Sequence, residues 1–204
     1  MESEGQHVHK RYPEWLAFVL NNRIRRFFQP PERLVSKLDL RATDVVVDFG
    51  CGPGFYTIPI AKVVARSIAV DVSPRMLEKA ASNAKKNHVT VEALVTDGKA
   101  IKLGDGIVDL ILLTHVFHEV ADRSKVLGEF LRIAKRSGRL AIVERTRGGA
   151  LGWAGGPPIM DQTEVIRELE RAGFTLAQVV SHGNDSIVIG KKLVSNSAHS
   201  IFVK

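Results

Sequence analysis

Three aspartates set the chemistry of this chain: Asp48, Asp71 and Asp97, each at the end of a short apolar run. The first lies in VVVDFGCGPGF, Val45–Phe55, where glycine recurs at alternate positions, Gly50, Gly52 and Gly54. Glycine lets the backbone turn tightly and approach a ligand with no Cβ in the way. The FYTIPIAKVVA that follows reads as a helix whose free N-terminal amides face the same ligand. Strand, glycine turn and helix together make a nucleoside-cofactor site at the carboxyl end of a parallel strand. Taken singly, Asp48 could merely cap a turn and Asp71 a helix ahead of Ser73. Three acids ending successive strands, one of them followed by G-x-G-x-G, favour a ligand site.

The spacing bears on which cofactor. A dinucleotide fingerprint is G-x-G-x-x-G; here it is G-x-G-x-G, and Phe55 stands where the third glycine of that fingerprint should be. The pattern D-x-G-x-G-x-G, with an acid closing the next strand SIAVDV, resembles class I S-adenosylmethionine-dependent methyltransferases. VTDGKAI at Val95–Ile101 is similar to the family's third acidic loop, DLILLTHVFHEV at Asp109–Val120 to its fourth strand and exit, and SGRLAIVE at Ser137–Glu144 to the turn into its fifth. The resemblance covers roughly residues 40–192, and the exit loop is most like that of the ubiquinone/menaquinone-type ("type 11") small-molecule enzymes.

What the resemblance implies can be placed residue by residue. S-adenosylmethionine presents a sulfonium, an amino-acid end, a ribose diol and an adenine, but no phosphate, so carboxylates must hold it. Asp48 is expected to reach the methionine ammonium. Gly50, Cys51, Gly52, Gly54 and Tyr56 line the turn, Cys51 reading equally well as a small packing residue. Asp71 should accept the ribose hydroxyls in charge-assisted bonds. Asp97 should accept from the adenine amino group beside Gly98 and Lys99, with Val72 and Met76 against the ring, and Thr114 completes the cofactor set. The product would be S-adenosyl-L-homocysteine.

Thr114–Glu119, THVFHE, leaves the fourth strand where the methyl group should sit. His115 or His118 could deprotonate an acceptor, since imidazole titrates near neutrality; alternatively one packs on the cofactor and the other bonds a loop. The order is not H-E-x-x-H and lacks a clear third ligand, so no metal is expected. Acceptor contacts are expected from Tyr12, Trp15, His118, Glu144, Arg145 and Trp153. The glycine-rich stretch Gly148–Pro158 around Trp153 reads as an acceptor lid or as a simple long loop.

The elements that must position these residues alternate as a parallel sheet requires. Strands are predicted at 45–49, 67–71, 89–95, 108–114, 139–144, 175–181 and 186–191, and helices at 55–65, 74–87, 122–136 and 161–172. Ser73-Pro74 is a helix start, and Ser137-Gly138 and Gly173 are helix stops. HGND is too short for a crossover and predicts a final hairpin, hence an antiparallel last strand. The fold class is a Rossmann-like doubly wound α/β sheet of seven strands. Residues 1–40 form an N-terminal helical cap, with helix over Pro13–Phe28 and a new one from Pro30-Pro31; 41–192 form the cofactor-binding core, and 193–204 a tail.

At 204 residues and 45% hydrophobic, the chain suits one domain. No apolar run reaches the roughly 18 residues of a membrane span, MESEGQHVHKRY does not read as a secretory signal, and one cysteine fits a reducing cytoplasm. A single thiol also argues against methylation of arsenic, which needs several. The net charge of +7 permits an anionic partner, and Arg23, Arg25 and Arg26 allow an RNA-binding arm without being diagnostic. The Asn/Asp-Pro-Pro-aromatic signature of amino-methylating nucleic-acid enzymes is missing, since THVFHE occupies its place. A small-molecule or unassigned acceptor is therefore expected, with the chain a monomer or homodimer. RNA or protein methylation, and a non-catalytic cofactor-binding protein or NAD(P) oxidoreductase, stand as alternatives.

Overall fold

The computed structural model describes residues 30–146 and 158–193. The expected helices over Pro13–Phe28, the arginines at 23, 25 and 26, Tyr12, Trp15, nearly all of the stretch around Trp153, and all but the first residue of the 193–204 tail lie outside them. Five α-helices are described: α1 (Pro31–Val35), α2 (Thr57–Ala61), α3 (Pro74–Lys86), α4 (Arg123–Ile133) and α5 (Gln162–Arg171), with a short 3-10 helix at Phe117–Glu119. Seven strands are described: β1 (Val45–Phe49), β2 (Arg66–Asp71), β3 (Glu92–Val95), β4 (Val108–Thr114), β5 (Ala134–Arg145), β6 (Phe174–His182) and β7 (Asp185–Lys192). They form one sheet in the order β3-β2-β1-β4-β5-β7-β6, parallel except for β7.

Burial on both faces explains the unbroken apolar runs of β1 and β4. Val47, Phe49, Ile68, Ile111 and Leu140 pack on one face beneath α4 and α5, where Phe49 meets Phe130 edge-on at 5.0 Å. Val46, Leu110, Leu112 and Ile187 pack on the other, beneath α1 and α2. Asp48 alternates with Val47 and so shares the α2 face. Gly183 opens the β6–β7 turn with φ +64, and His182 pairs with Asp185 across it, so the predicted hairpin forms with two residues at its tip.

Four elements depart by more than one residue from the bounds predicted. The helix expected at 122–136 ends at Ile133, and the strand expected from 139 begins at Ala134. The reason is capture of the helix end by the sheet: Gly106 and Ile107 amides take the Arg132 and Ile133 carbonyls, and Lys192 Nζ takes those of Leu131 and Ala134. Ser137-Gly138 is thus no helix stop. A Cβ at Gly138 would lie 2.9 Å from Ala134 Cβ, and this close fold-back within β5 is what its glycine permits. The helix expected at 55–65 is confined to Thr57–Ala61, because Val63 and Val64 amides both converge on the Ile60 carbonyl. The strand expected at 89–95 starts at Glu92, since Val89 is still tied to the Ala84 carbonyl and His88 sits at φ +55 in the helix exit. Among the described residues no helix is long and apolar enough to cross a membrane.

Candidate functional site

The glycine turn is built by backbone. Gly50 and Cys51 amides both donate to the Val70 carbonyl, at 2.8 and 3.1 Å, locking the exit of β1 to β2. Asn83 of α3 donates to the Pro53 carbonyl at 2.9 Å and supports the turn from behind. Gly50, Gly52 and Gly54 all have positive φ. Two of them are crowded: a Cβ on Gly50 would collide with Val116, and one on Gly54 would lie 3.3 Å from Ala80 Cβ. A Cβ on Gly52 would meet nothing within 4 Å. The turn therefore opens outward at Gly52 alone, with room for a ligand to lie against bare backbone.

Asp71, the last residue of β2, faces that opening. Its Oδ2 accepts from the Gly52 amide and its Oδ1 from the Ser73 amide, both at 2.9 Å. A carboxylate has about four acceptor positions, so these bonds leave capacity for ligand donors. Burial pushes its pKa up against the downward pull of the Ser73, Gly52 and Val72 amides. Asp48 is 3% exposed and accepts from Thr57 Oγ1 at 2.5 Å. Its pKa is pushed up to about 6 by burial and by the neighbouring Asp71 charge, although the Thr57 hydroxyl opposes the shift. Two buried carboxylates with no cation between them among the described residues make a place for a positively charged group.

Asp97 caps its own loop, accepting from the Lys99 and Ala100 amides at 2.9 Å, and those amides hold its carboxyl below the usual range. Val72 stands next to Gly98 and is 58% exposed, an apolar surface left open between the tips of β2 and β3. Met76 is half-buried on α3, capped by Ser73. Cys51 is buried against Ala69 and Leu77, and Tyr56 is buried edge-on to Phe55, so both contribute packing beneath the turn.

A second cluster lies at the exits of β4 and β5 and the start of β7. His115 has φ +55, a strained backbone for a non-glycine residue. Its Nε2 is 3.2 Å from Asp185 Oδ2, and its Nδ1 is 3.9 Å from Glu144 Oε2, an ion-pair distance too long for a hydrogen bond. Glu144 is 2% exposed and accepts from the His118 amide at 3.2 Å and pairs with His118 Nδ1 at 2.9 Å. Burial raises the Glu144 pKa, but the two imidazoles outweigh it and bring it down to about 2. Burial likewise pushes His115 down, and the Asp185 and Glu144 carboxylates beside it prevail, leaving it raised. Arg145 and Thr114 belong to the same rim, with Thr114 Oγ1 and Arg145 Nε buried and without hydrogen-bond partners among the described residues. Val116, between the two histidines, packs on Gly50 and joins this cluster to the glycine turn.

The structure thus brings Asp48, Asp71, Asp97, Val72, Gly98 and the histidines to the carboxyl edge of the sheet. Thr57 and Asp185 were not read from the sequence as site residues. Thr57 carried a signal, a hydroxyl one helical turn beyond the glycine turn. Asp185 carried none beyond its place in the hairpin, because its neighbours in space come from β4 and β5. Among the described residues no three His, Cys, Asp or Glu side chains form a group that could hold a metal ion.

Comparison with known proteins agrees with this arrangement. Residues 47–142 match the family model of a methyltransferase domain. The chain is 28% identical to a SAM-dependent methyltransferase from Aquifex aeolicus, with a TM-score of 0.82 over 90% of this chain and 100% of that one. It is 26% identical to the ubiquinone biosynthesis O-methyltransferase of Rhodopseudomonas palustris, over 69% of this chain and 53% of that protein. It is 29% identical to the demethylmenaquinone methyltransferase of Lactobacillus johnsonii, over 57% and 50%. The chain therefore spans about half the length of these curated relatives.

Proposed function

We propose that the chain is a class I S-adenosylmethionine-dependent methyltransferase of the type 11 group that methylates a small-molecule acceptor, a reading supported by the methyltransferase-domain match over residues 47–142 and by the likeness to the Aquifex aeolicus enzyme and the two curated relatives. The observation that carries the cofactor site is the pairing of an open Gly52 with the Asp71 carboxylate that faces it. Asp71 would hold the ribose hydroxyls and Asp48 the ammonium, while Val72, Asp97, Gly98 and Lys99 would border the adenine. Bound there, S-adenosylmethionine supplies a methyl group already activated on a sulfonium. The protein's part is to align the acceptor and keep water out, for which proximity contributes about 7–11 kcal/mol. A general base would add only about 10²–10⁴-fold, and His115 or His118 would serve as one.

Support for a small acceptor comes from the two quinone-pathway relatives, whose names place them in ubiquinone and menaquinone chemistry. Acceptor contacts from Tyr12, Trp15, Glu144, Arg145 and Trp153 belong to this same reading, as does a cytoplasmic location. Calorimetry with S-adenosylmethionine and with NADH tests the cofactor: tighter NADH binding would reject the reading. A transfer screen with methyl-labelled cofactor across quinols, amines, tRNA and peptides tests the acceptor. Transfer confined to tRNA or peptides would replace the small molecule with a macromolecular substrate.

A further inference from the structure

Strand alternation sets a row of polar side chains along one face of the sheet at its carboxyl edge. Leu112, Val143 and Ile187 pack beneath α1 and α2. The residues two further on in β4 and β5, Thr114 and Arg145, and two earlier in β7, Asp185, therefore lie on that same face. Arg145 and Asp185 are partners in register, and Asp185 is in turn the partner of His182 on β6. Arg145 nevertheless makes no ion pair with Asp185, whose Oδ2 faces His115 Nε2 at 3.2 Å. Its guanidinium has no hydrogen-bond or ion-pair partner among the described residues, and its Nε is buried. The other half-buried arginines described are all answered: Arg66 by Glu92, Arg123 by Glu164 and Glu168, Arg132 by Glu129 and Asp105, and Arg139 by the Leu38 and Asp39 carbonyls. A guanidinium keeps its charge in a protein, so one half-buried and unanswered calls for an explanation.

Thr114 Oγ1, one strand away on the same face, is likewise buried and without a partner among the described residues. Lys37 donates to the Ser181 carbonyl of β6 at 2.6 Å, and with Arg33 it adds positive charge near His182, whose pKa is pushed down by burial and then by these cations. The carboxylates about Arg145 are Asp185 and Glu144, and the His115 imidazole stands between them. Positive charge is thus left over at this end of the face, as negative charge is at Asp48. We propose that the methyl acceptor carries a carboxylate, which takes the guanidinium fork of Arg145 and the hydroxyl of Thr114 and so turns the rest of the acceptor toward the exit of β4. This rests on the methyltransferase reading and adds the acceptor's charge. A planar guanidinium matches a carboxylate with two parallel hydrogen bonds. One guanidinium and one neutral hydroxyl answer a single negative charge rather than a phosphate dianion. Cofactor cation and acceptor anion then lie at opposite ends of one face, each drawn to the end of opposite sign.

The test uses the whole protein saturated with S-adenosylhomocysteine and titrated with benzoate and phenylacetate, each paired with its neutral amide, and with benzylamine and phenyl phosphate. Calorimetry gives the affinities, and NMR follows the Arg145 Nε–H resonance. The carboxylates are expected to shift that resonance and to bind at least about tenfold more tightly than their amides. Arg145→Gln should weaken carboxylate binding by about ten- to a hundredfold, the range for a hydrogen bond to a charged group, and leave the amides unmoved. A purely structural loss would weaken acid and amide alike. Arg145→Lys should keep a reduced preference for the acid, as a point charge without the fork. Thr114→Val should cost the carboxylates a smaller, several-fold loss. Equal binding of acid and amide by the wild type, preference for benzylamine or phenyl phosphate, an unmoved Arg145 resonance, or a wild-type acid-to-amide ratio in Arg145→Gln would overturn the proposal. The wild-type ratio and resonance decide it even where a variant does not fold. If S-adenosylhomocysteine itself fails to bind the wild-type protein, the methyltransferase reading falls first, and that control tells the two failures apart.

Discussion

Asp48 and Glu144 are both buried carboxylates at the carboxyl edge of one sheet, yet their pKa values move in opposite directions, to about 6 and to about 2. Burial raises both. Glu144 is then answered by two imidazoles and a backbone amide, whereas Asp48 is answered by one hydroxyl and faces a second acid. The region around β4, β5 and β7 balances most of its own charge. The region around β1 and β2 keeps negative charge that none of the described residues answers. A binding site for a cation is therefore visible as a deficit, and a scaffold for acid–base chemistry as a closed set of pairs.

The largest way to break the comparison is Glu144→Ala. Removing it leaves His115 with one carboxylate and His118 with no partner on Nδ1, and breaking a buried pair costs on the order of 3–5 kcal/mol. Urea denaturation at pH 6 should show that loss. The pH profile sharpens it: Glu144 has a lowered pKa, so its stabilisation is full above its ordinary value of 4.5 and fades as pH falls toward about 2. His115 has a raised pKa, so its contribution is full below 6.5 and is lost as pH climbs through the raised value. Both are present between those limits, and the variant should differ most from wild type there.

Asp48→Asn should act in the opposite sense. A carboxyl raised from 3.8 to about 6 favours the folded state below pH 3.8, and that advantage disappears as pH rises through about 6. At pH 8 the ionised group therefore costs stability, up to about 3 kcal/mol from a shift of that size. The amide should raise the melting temperature at pH 8, have little effect near pH 4, and weaken S-adenosylmethionine binding. A variant less stable at pH 8 would show that Asp48 is not an uncompensated charge. Asp71→Ala comes next: cofactor affinity should fall by about 1.5–3 kcal/mol in calorimetry, since a charged acceptor is lost. Unchanged affinity would remove Asp71 from the site.

The same contrast explains what could be read from the residues alone. The parallel core was legible because each strand, turn and helix of its first half is signalled within a few residues; β1 and β4 have the bounds their apolar runs give. Asp48, Gly52 and Asp71 come together through one β-α-β unit, so their meeting follows from local order. The start of β5 was not legible, because Ala134–Gly138 is drawn into the sheet by backbone partners at Gly106 and Ile107, far away in sequence. Asp185 was missed for the same reason. Its role depends on register across β5 and β7, which no local pattern encodes.

The smallest effect lies in the glycine turn and separates space from backbone. At Gly52, with φ +52 and nothing within 4 Å of an added Cβ, alanine should cost only the left-handed backbone penalty, about 1–2 kcal/mol. At Gly50, also at positive φ, the added Cβ would in addition collide with Val116 and disturb the joint between the turn and the His115 loop. Thermal denaturation should thus rank Gly50→Ala below Gly52→Ala. Cofactor affinity should not follow that ranking in proportion: Gly52→Ala should lose affinity beyond its small stability cost, because its methyl occupies the opening that Asp71 faces. If Gly52→Ala binds S-adenosylmethionine like wild type, the open face of the turn is not where the ligand lies, and the negative charge of Asp48 and Asp71 must be answered from another direction.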